Sequence, residues 1–196
     1  MNPKKRIGLY FGTFNPIHVG HLIIANYLVE FSDLDEIWMV VTPHNPHKKK
    51  KTLLDDVHRL AMVRIAVEDY PKLKVSTIEF ALPQPNFTVN TLAHLEEKYP
   101  ENSFCLIMGE DNLKSFGKWK NYEVILERYA IYVYPRISEG SVETKFIDHP
   151  NISKINAPIM ELSSTFIRNN IKAGKDIRPM LPFQVWKYLD EMNFYK

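Results

Sequence analysis

The sequence predicts an α/β fold in which helices cover both faces of a parallel sheet. Short apolar stretches alternate with amphipathic stretches along most of the 196 residues, a pattern typical of repeated strand–helix–strand units. The first strand leads into a turn, "GTFNPIHVGH" at 12–21, before helical periodicity begins. Because such units cross over with one hand, the alternation indicates a doubly wound, Rossmann-like sheet followed by a C-terminal helical segment.

Five stretches are predicted as strands because they are rich in apolar residues, which is typical of parallel strands buried on both faces. They are 6–11, 36–41, 73–80, 103–109 and 129–135. Four intervening stretches carry apolar residues at helical spacing. They are 21–31, 55–70, 88–99 and 121–129. The rest of the chain adds a short strand over 152–157 and helices over 163–174 and 182–193.

Composition and charge indicate one globular domain over 1–196, with 45% hydrophobic and 24% charged residues. A net charge of +2 lacks the basic footprint of a general nucleic-acid binder. No apolar stretch approaches the roughly 20 residues of a membrane span, and no secretory signal is recognisable. The single cysteine, Cys105, permits no intrachain disulfide. We therefore expect a cytoplasmic protein with neither a membrane nor a nucleic acid as its partner.

Two histidines flank the entrance of the first predicted helix. Gly12 follows the first strand, Pro16 excludes a regular helix in the turn, and the helix is predicted to begin at about His21. His18 and His21 therefore lie where free N–H groups and the helix dipole favour a phosphate. Gly20 keeps the approach free of a side chain. H-x-G-H is a short pattern, and its position at a strand–turn–helix junction is what indicates function.

A run of lysines follows the second predicted strand. "HKKKK" at 47–51 is either a solvated surface run or the rim of an anion site, and Lys48 is the candidate cation because it lies nearest the prolines. His44 and His47 have H-x-x-H spacing, but no metal site is predicted, because further cysteine ligands and a clear carboxylate partner are missing. The chain contains no G-x-x-x-x-G-K-[ST] and no G-x-G-x-x-G after the first strand, which argues against a P-loop NTPase and an ordinary dinucleotide-dependent dehydrogenase.

Two distant stretches resemble the nucleotidylyltransferase superfamily. "GTFNPIHVGH" (12–21) is similar to its (H/T)-x-G-H turn, and "SSTFIR" (163–168) to its (I/L)-S-S-T-x-(I/L)-R helix start. Within the superfamily, the chain resembles the bacterial nicotinate-nucleotide adenylyltransferases through four further stretches, at 42–48, 87–92, 109–126 and 177–195. It departs from that family at Asn90, where aspartate is usual, and at Ile17, where proline is common.

The resemblance implies adenylyl transfer from ATP to nicotinate mononucleotide, giving deamido-NAD and pyrophosphate in NAD biosynthesis, with Mg²⁺ carried by ATP. The catalytic residues that it implies are His18, His21, Lys48 and Arg168. The implied ATP-binding residues are Gly12, Thr13, Phe14, Gly20, Gly109, Asp111, Ser163, Ser164 and Thr165. The implied mononucleotide-binding residues are Asn15, Thr88, Asn90 and Trp119.

This chemistry is consistent with the residues themselves. A mononucleotide phosphate is already anionic at neutral pH, so its attack on the α-phosphate of ATP requires no protein base. Catalysis then consists of in-line positioning and charge neutralisation. Arg168 suits that role because its guanidinium stays charged and can fork onto phosphate oxygens. Mg²⁺ would be held mainly by phosphate oxygens and water.

Several residues allow a structural interpretation beside the functional one. Ser163 and Ser164 are candidate N-caps. Asp111 is a candidate helix N-cap and a candidate acceptor from ribose hydroxyls, and the two roles are compatible. Trp119 either anchors the core or stacks on the pyridine ring. The reaction has alternatives as well. The acceptor could be nicotinamide mononucleotide or phosphopantetheine, or the chain could be a noncatalytic nucleotide- or RNA-binding module.

Overall fold

Six parallel strands form one sheet in the computed structural model, which describes residues 3–43, 53–136 and 146–196. The strands are β1 (Lys5–Gly12), β2 (Glu36–Val41), β3 (Leu73–Ser76), β4 (Asn102–Gly109), β5 (Ile131–Tyr134) and β6 (Ile152–Lys154). Their order in the sheet is β3-β2-β1-β4-β5-β6. This is the doubly wound order in which two three-strand halves run outward from the centre, so the predicted Rossmann-like fold class is confirmed.

Helices connect the strands and cover both faces of the sheet. They are α1 (Val19–Phe31), α2 (Asp56–Val67), α3 (Thr88–Lys98), α4 (Glu110–Ser115), α5 (Tyr122–Arg128), α6 (Ser164–Lys172) and α7 (Phe183–Glu191). Short 3-10 turns occupy Ile78–Ala81, Phe116–Lys118 and Arg178–Met180. In the described ranges, no helix combines the length and the apolar character that crossing a membrane requires.

Most elements end within a few residues of the prediction, and three differences have a clear physical reason. The strand predicted over 73–80 ends at Ser76, because the chain turns away from β2 and the Phe80 N–H donates to the Thr77 carbonyl at 3.0 Å. The first helix begins at Val19 rather than His21, since His18 already has the extended backbone of an N-cap. Helix α4 was not predicted, because its six residues are too few to show periodicity.

Alternate residues of the central strand pack into two different hydrophobic layers. Ile7 and Leu9 join the layer built with α3 and α5, whereas Tyr10 joins the layer built with α1, α2 and α7. This alternation explains why β1 is apolar at successive positions from Ile7 to Phe11, as expected for a strand covered on both faces.

The order of the strands reverses between β1 and β4, which pair side by side in parallel. In open α/β sheets, a crevice forms at such a switch point beyond the carboxyl ends of the strands. The turn after β1 and the start of α4 after β4 both lie at this edge. The candidate site is therefore built there.

Candidate active site

The turn that follows β1 is built around Gly12 and Phe14. Phe14 has a left-handed backbone (φ 44°) and a ring that is only 2% exposed. A Cβ atom on Gly12 would lie 2.7 Å from Phe14 Cζ, so the turn closes only with glycine there. The Phe14 ring packs edge-on against His21, with 5.1 Å between centroids. Phe14, predicted to bind ATP, lines neither of the two cavities described below and instead supports the histidine.

His18 and His21 form a stacked pair at the N-terminus of α1, with ring centroids 3.8 Å apart and planes tilted by 31°. The main-chain N–H of His18 donates to Nδ1 of His21 at 3.2 Å. Because Nδ1 is the acceptor, the proton of a neutral His21 lies on Nε2, which can donate to a phosphate oxygen. A Cβ atom on Gly20 would lie 3.1 Å from His18 Nδ1, so the glycine leaves room for this ring.

His18 is held in its neutral form. The residue is only 4% exposed, and burial followed by the positive charge of Arg136 lowers its pKa from 6.5 to about 3. Its Nδ1 atom is buried and has no hydrogen-bond partner among the described residues. A neutral ring stacked on His21 avoids the repulsion of two adjacent imidazolium ions. An anion in the cavity would favour protonation, so the histidine can gain charge as negative charge develops.

The start of α6 is fastened to the turn after β1. Ser163 is the N-cap and accepts a main-chain N–H at 3.1 Å, as predicted. Ser164 is not a cap, because the helix has already begun, and its hydroxyl donates to the Pro16 carbonyl at 2.8 Å. Arg168 Nη1 donates to the Asn15 carbonyl at 2.8 Å. These two bonds join the two halves of the sequence signature, which lie about 150 residues apart in the chain.

A first cavity of about 590 Å³ opens between the turn after β1, the starts of α1 and α6, and the end of β5. Its lining includes the predicted residues Thr13, Asn15, His18, Gly20, His21, Ser163, Ser164, Thr165 and Arg168. Over the described ranges, the lining carries two histidines and two arginines but no carboxylate. Such a surface favours a polyanion such as a nucleoside triphosphate.

Arg136 is a cavity residue that the sequence did not reveal. It lies two residues beyond the end of β5, lines the first cavity, and approaches the carboxylate of Asp111 at 3.7 Å. Its main-chain N–H donates to Glu110 at 3.1 Å. A cation directly after the carboxyl end of a parallel strand was the available signal, because that end shares an edge with β1 and β4.

Gly109 and Asp111 lie beside Arg136, outside both cavities. Gly109 is the N-cap of α4, so the proposed capping role of Asp111 is wrong, and its carboxylate instead folds back over the glycine. A Cβ atom on Gly109 would lie 2.5 Å from Asp111 Oδ1. Contact of these two residues with ATP stays a prediction.

A second cavity of about 410 Å³ adjoins the first. Gly12, Thr88 and Trp119, all predicted site residues, line it. Trp119 is half-buried and packs edge-on against Phe116 at 5.5 Å, so it is anchored by the core and also borders the cavity. Asn90 is exposed on α3 and lies outside the lining. Its contact with the mononucleotide stays a prediction.

Asn15, predicted to bind the mononucleotide, lines the first cavity and not the second, and its contact with the mononucleotide stays a prediction. Its Oδ1 atom accepts from the main-chain N–H of Leu54 at 3.1 Å and from the hydroxyl of Tyr195 at 2.6 Å. The side chain therefore ties the C-terminal residues and the segment before α2 to the turn after β1.

The fully buried Arg59 of α2 holds the same turn from the other side. Its guanidinium donates to the main-chain carbonyls of Thr13, Thr42, Pro43 and Leu54 and pairs with the carboxylate of Asp56. Arginine can satisfy so many acceptors because it carries five N–H donors in one plane. The predicted catalytic Lys48 lies outside the described residues. Within the described ranges, no cluster of three or more His, Cys, Asp or Glu side chains could hold a metal.

The two cavities meet at Thr13, which lines both. Fold and site together define an α/β nucleotide-binding protein whose phosphate pocket is made by a strand–turn–helix junction. The model of the cytidylyltransferase-like family matches residues 9–170, and the chain belongs to this family.

Proteins with high similarity over the whole chain carry a narrower description. A protein of Christiangramia forsetii is 67% identical over 98% of this chain and 100% of its own length, and one of Flavobacterium psychrophilum is 66% identical over 97% and 99%. Both are described as probable nicotinate-nucleotide adenylyltransferases. The Plasmodium falciparum nicotinic acid mononucleotide adenylyltransferase complexed with NaAD has the same fold, with a TM-score of 0.82 at 20% identity over 97% of both chains.

Proposed function

We propose that this protein transfers the adenylyl group of ATP to nicotinate mononucleotide, giving deamido-NAD and pyrophosphate. The observation that carries the proposal is the meeting of two unlike cavities at Thr13, beyond the carboxyl end of β1. The first, with its histidines and arginines, suits a triphosphate. The second, with an aromatic wall at Trp119, suits a pyridine ring. A phosphate from each side can therefore approach the same point.

The transfer is a single in-line displacement. A phosphate oxygen of the mononucleotide forms a bond to the α-phosphorus of ATP. The bond between that phosphorus and the oxygen bridging to the β-phosphorus breaks, and pyrophosphate leaves with the electron pair. Because the attacking phosphate is already ionised, no side chain has to remove a proton.

The protein contributes positioning and charge. His21 offers its Nε2–H to a phosphate oxygen, and Arg168, held on the turn by its bond to Asn15, places a planar cation beside it. Arg136 adds a second guanidinium from the far wall of the cavity. Mg²⁺ carried by ATP would be held mainly by phosphate oxygens and water, and would neutralise part of the charge on the triphosphate. Lys48 is a further proposed cation.

The proposal is tested by following pyrophosphate release from ATP with a panel of acceptors. We expect nicotinate mononucleotide to be the best acceptor, ahead of nicotinamide mononucleotide and phosphopantetheine. Preference for nicotinamide mononucleotide or phosphopantetheine would identify a different acceptor but would still support adenylyl transfer. Release with none of them would contradict the enzyme and favour a nucleotide-binding module.

Two histidine variants, one in the site and one outside it, separate an effect on catalysis from an effect on folding in the same assay. His21→Ala should lower kcat by about 10²-fold, the scale of losing one preorganised donor. The control is His94→Ala on α3, a histidine that lines neither cavity. Near-normal turnover of folded His21→Ala would refute the role of His21.

A further inference from the structure

Two oxygen atoms at the second cavity have no hydrogen-bond partner among the described residues. They are Oε2 of Glu79 and Oδ1 of Asn86, which we call the acceptor pair. Both residues line the cavity, and they are almost fully buried, at 2% and 6% exposed. Native proteins seldom leave buried acceptors unpaired. The pair therefore indicates a ligand that supplies donors.

The fold fixes both side chains by their other ends. Glu79 lies on the 3-10 turn Ile78–Ala81, and its Oε1 atom accepts from the Thr91 hydroxyl at 2.8 Å. Asn86 Nδ2 donates to the main-chain carbonyl of Glu79 at 3.0 Å. That bond also identifies which amide atom of Asn86 is the oxygen, because only the nitrogen can donate. Oε2 of Glu79 and Oδ1 of Asn86 thus make no hydrogen bond of good geometry among the described residues, although the Thr42 hydroxyl lies near the Glu79 carboxyl.

The acceptor pair shares the second cavity with Gly12 and Thr13 at the end of β1. Thr42, which also lines the second cavity, donates its main-chain N–H to the Gly12 carbonyl at 2.9 Å at the end of β1. Burial raises the pKa of the Glu79 carboxyl, and the hydroxyls of Thr42 and Thr91 offset part of the rise. Ligand donors would stabilise the ionised carboxylate further.

The chemistry of nicotinate mononucleotide determines which of its groups can donate hydrogen bonds to the acceptor pair. Ionised nicotinate mononucleotide carries only acceptors on its carboxylate and phosphate, and its pyridinium nitrogen is bonded to ribose. Its only hydrogen-bond donors are the two ribose hydroxyls. The ribose also joins the ring to the phosphate. With the ring on Trp119 and the phosphate at Thr13, the ribose lies in the second cavity, which both residues line.

We propose that Glu79 and Asn86 recognise the ribose hydroxyls of the mononucleotide and so determine specificity for a ribonucleotide acceptor. This inference rests on the proposed function. Neither residue takes part in the displacement. Their effect should therefore fall on KM for the mononucleotide rather than on the chemical step.

The test combines a variant with altered substrates. Kinetics are measured with nicotinate mononucleotide and with its 2′-deoxy and 3′-deoxy analogues, at saturating ATP. For the wild type, kcat/KM should fall about tenfold or more with at least one analogue, equivalent to about 1.4 kcal/mol. Glu79→Gln places an N–H donor where the acceptor stood, and should raise KM for the parent substrate about tenfold.

The decisive comparison is the penalty of Glu79→Gln on each substrate. It should shrink to about threefold or less on the analogue that lacks the contacted hydroxyl, because the lost bond is absent there already. Glu96→Gln, in an exposed ion pair with Arg128, is the control for loss of a carboxylate. KM for ATP and the melting temperature should match the control.

Equal penalties on all three substrates would overturn the assignment, as would a wild type that uses both deoxy analogues as well as the parent. If Glu79→Gln does not fold, the same penalties are measured with Asn86→Ser, which removes the other unpaired oxygen. A wild type without turnover of the parent mononucleotide would instead overturn the proposed function, and this assignment with it.

Discussion

Burial of His18 predicts a specific loss of stability in mild acid. The folded chain holds the pKa of this histidine at about 3, against an ordinary value of 6.5. At a pH below 6.5, His18 therefore binds a proton in the unfolded chain but stays neutral in the folded chain. Stability must rise with pH across the window between the two values, and it falls as pH is lowered from 6.5.

The magnitude follows from the two pKa values. Between pH 7 and pH 5, linkage gives a loss of about 2 kcal/mol in the free energy of unfolding from this one residue. His18→Gln removes the titrating group, so the variant should lack this part of the acid loss. The contributions of other groups cancel when the two proteins are compared at each pH.

The assay is urea unfolding at pH 7, 6 and 5 in buffers without phosphate, because a bound phosphate would stabilise protonated His18. The acid loss of the wild type should exceed that of His18→Gln by about 2 kcal/mol, and His94→Gln should behave like the wild type. Parallel pH profiles for wild type and His18→Gln would refute the buried neutral histidine.

Three further substitutions probe the site. Arg168→Lys keeps the charge but loses the planar fork that reaches the Asn15 carbonyl. The value of kcat/KM for ATP should therefore fall by about tenfold or more. An unchanged value would show that Arg168 is only a surface charge. Trp119→Ala should raise KM for the mononucleotide roughly ten- to a hundredfold, with little change in KM for ATP. Trp119→Phe should restore most of the affinity for the mononucleotide. Equal effects on both KM values would show that the tryptophan is purely structural. Gly12→Ala would bring a Cβ atom within 2.7 Å of the Phe14 ring. It should therefore lower the free energy of unfolding by about 1–3 kcal/mol and also lower kcat. A variant as stable as the wild type would disprove the tight closure of the turn.

The sheet and most helices could be predicted because their signals are local. Parallel strands covered on both faces are apolar at successive positions, and β1, β2 and β4 carry that pattern clearly. The segment predicted as a strand over 73–80 misled for the same reason. Its apolar residues continue past Ser76 into a 3-10 turn, where Ile78 packs in the core and Phe80 is exposed, instead of extending the sheet.

The phosphate side of the site was also visible in the sequence, because His18, His21 and Arg168 belong to compact patterns beside helix starts. Glu79 was not visible, and Arg136 offered only its place directly after the predicted strand 129–135. Their roles depend on which strand ends and turns lie together in space, and no spacing within the sequence encodes that. Phe14 illustrates the opposite case, since a residue inside the motif turned inward to support its neighbour.

Transfer of the α-phosphate is tested most directly by isotopic labelling. The wild type is incubated with nicotinate mononucleotide and ATP labelled either at the α-phosphate or at the γ-phosphate, and the products are separated. The α label should appear in deamido-NAD and the γ label in pyrophosphate, in equal amounts. Alpha label recovered only as AMP, or γ label in a product of the mononucleotide, would contradict adenylyl transfer.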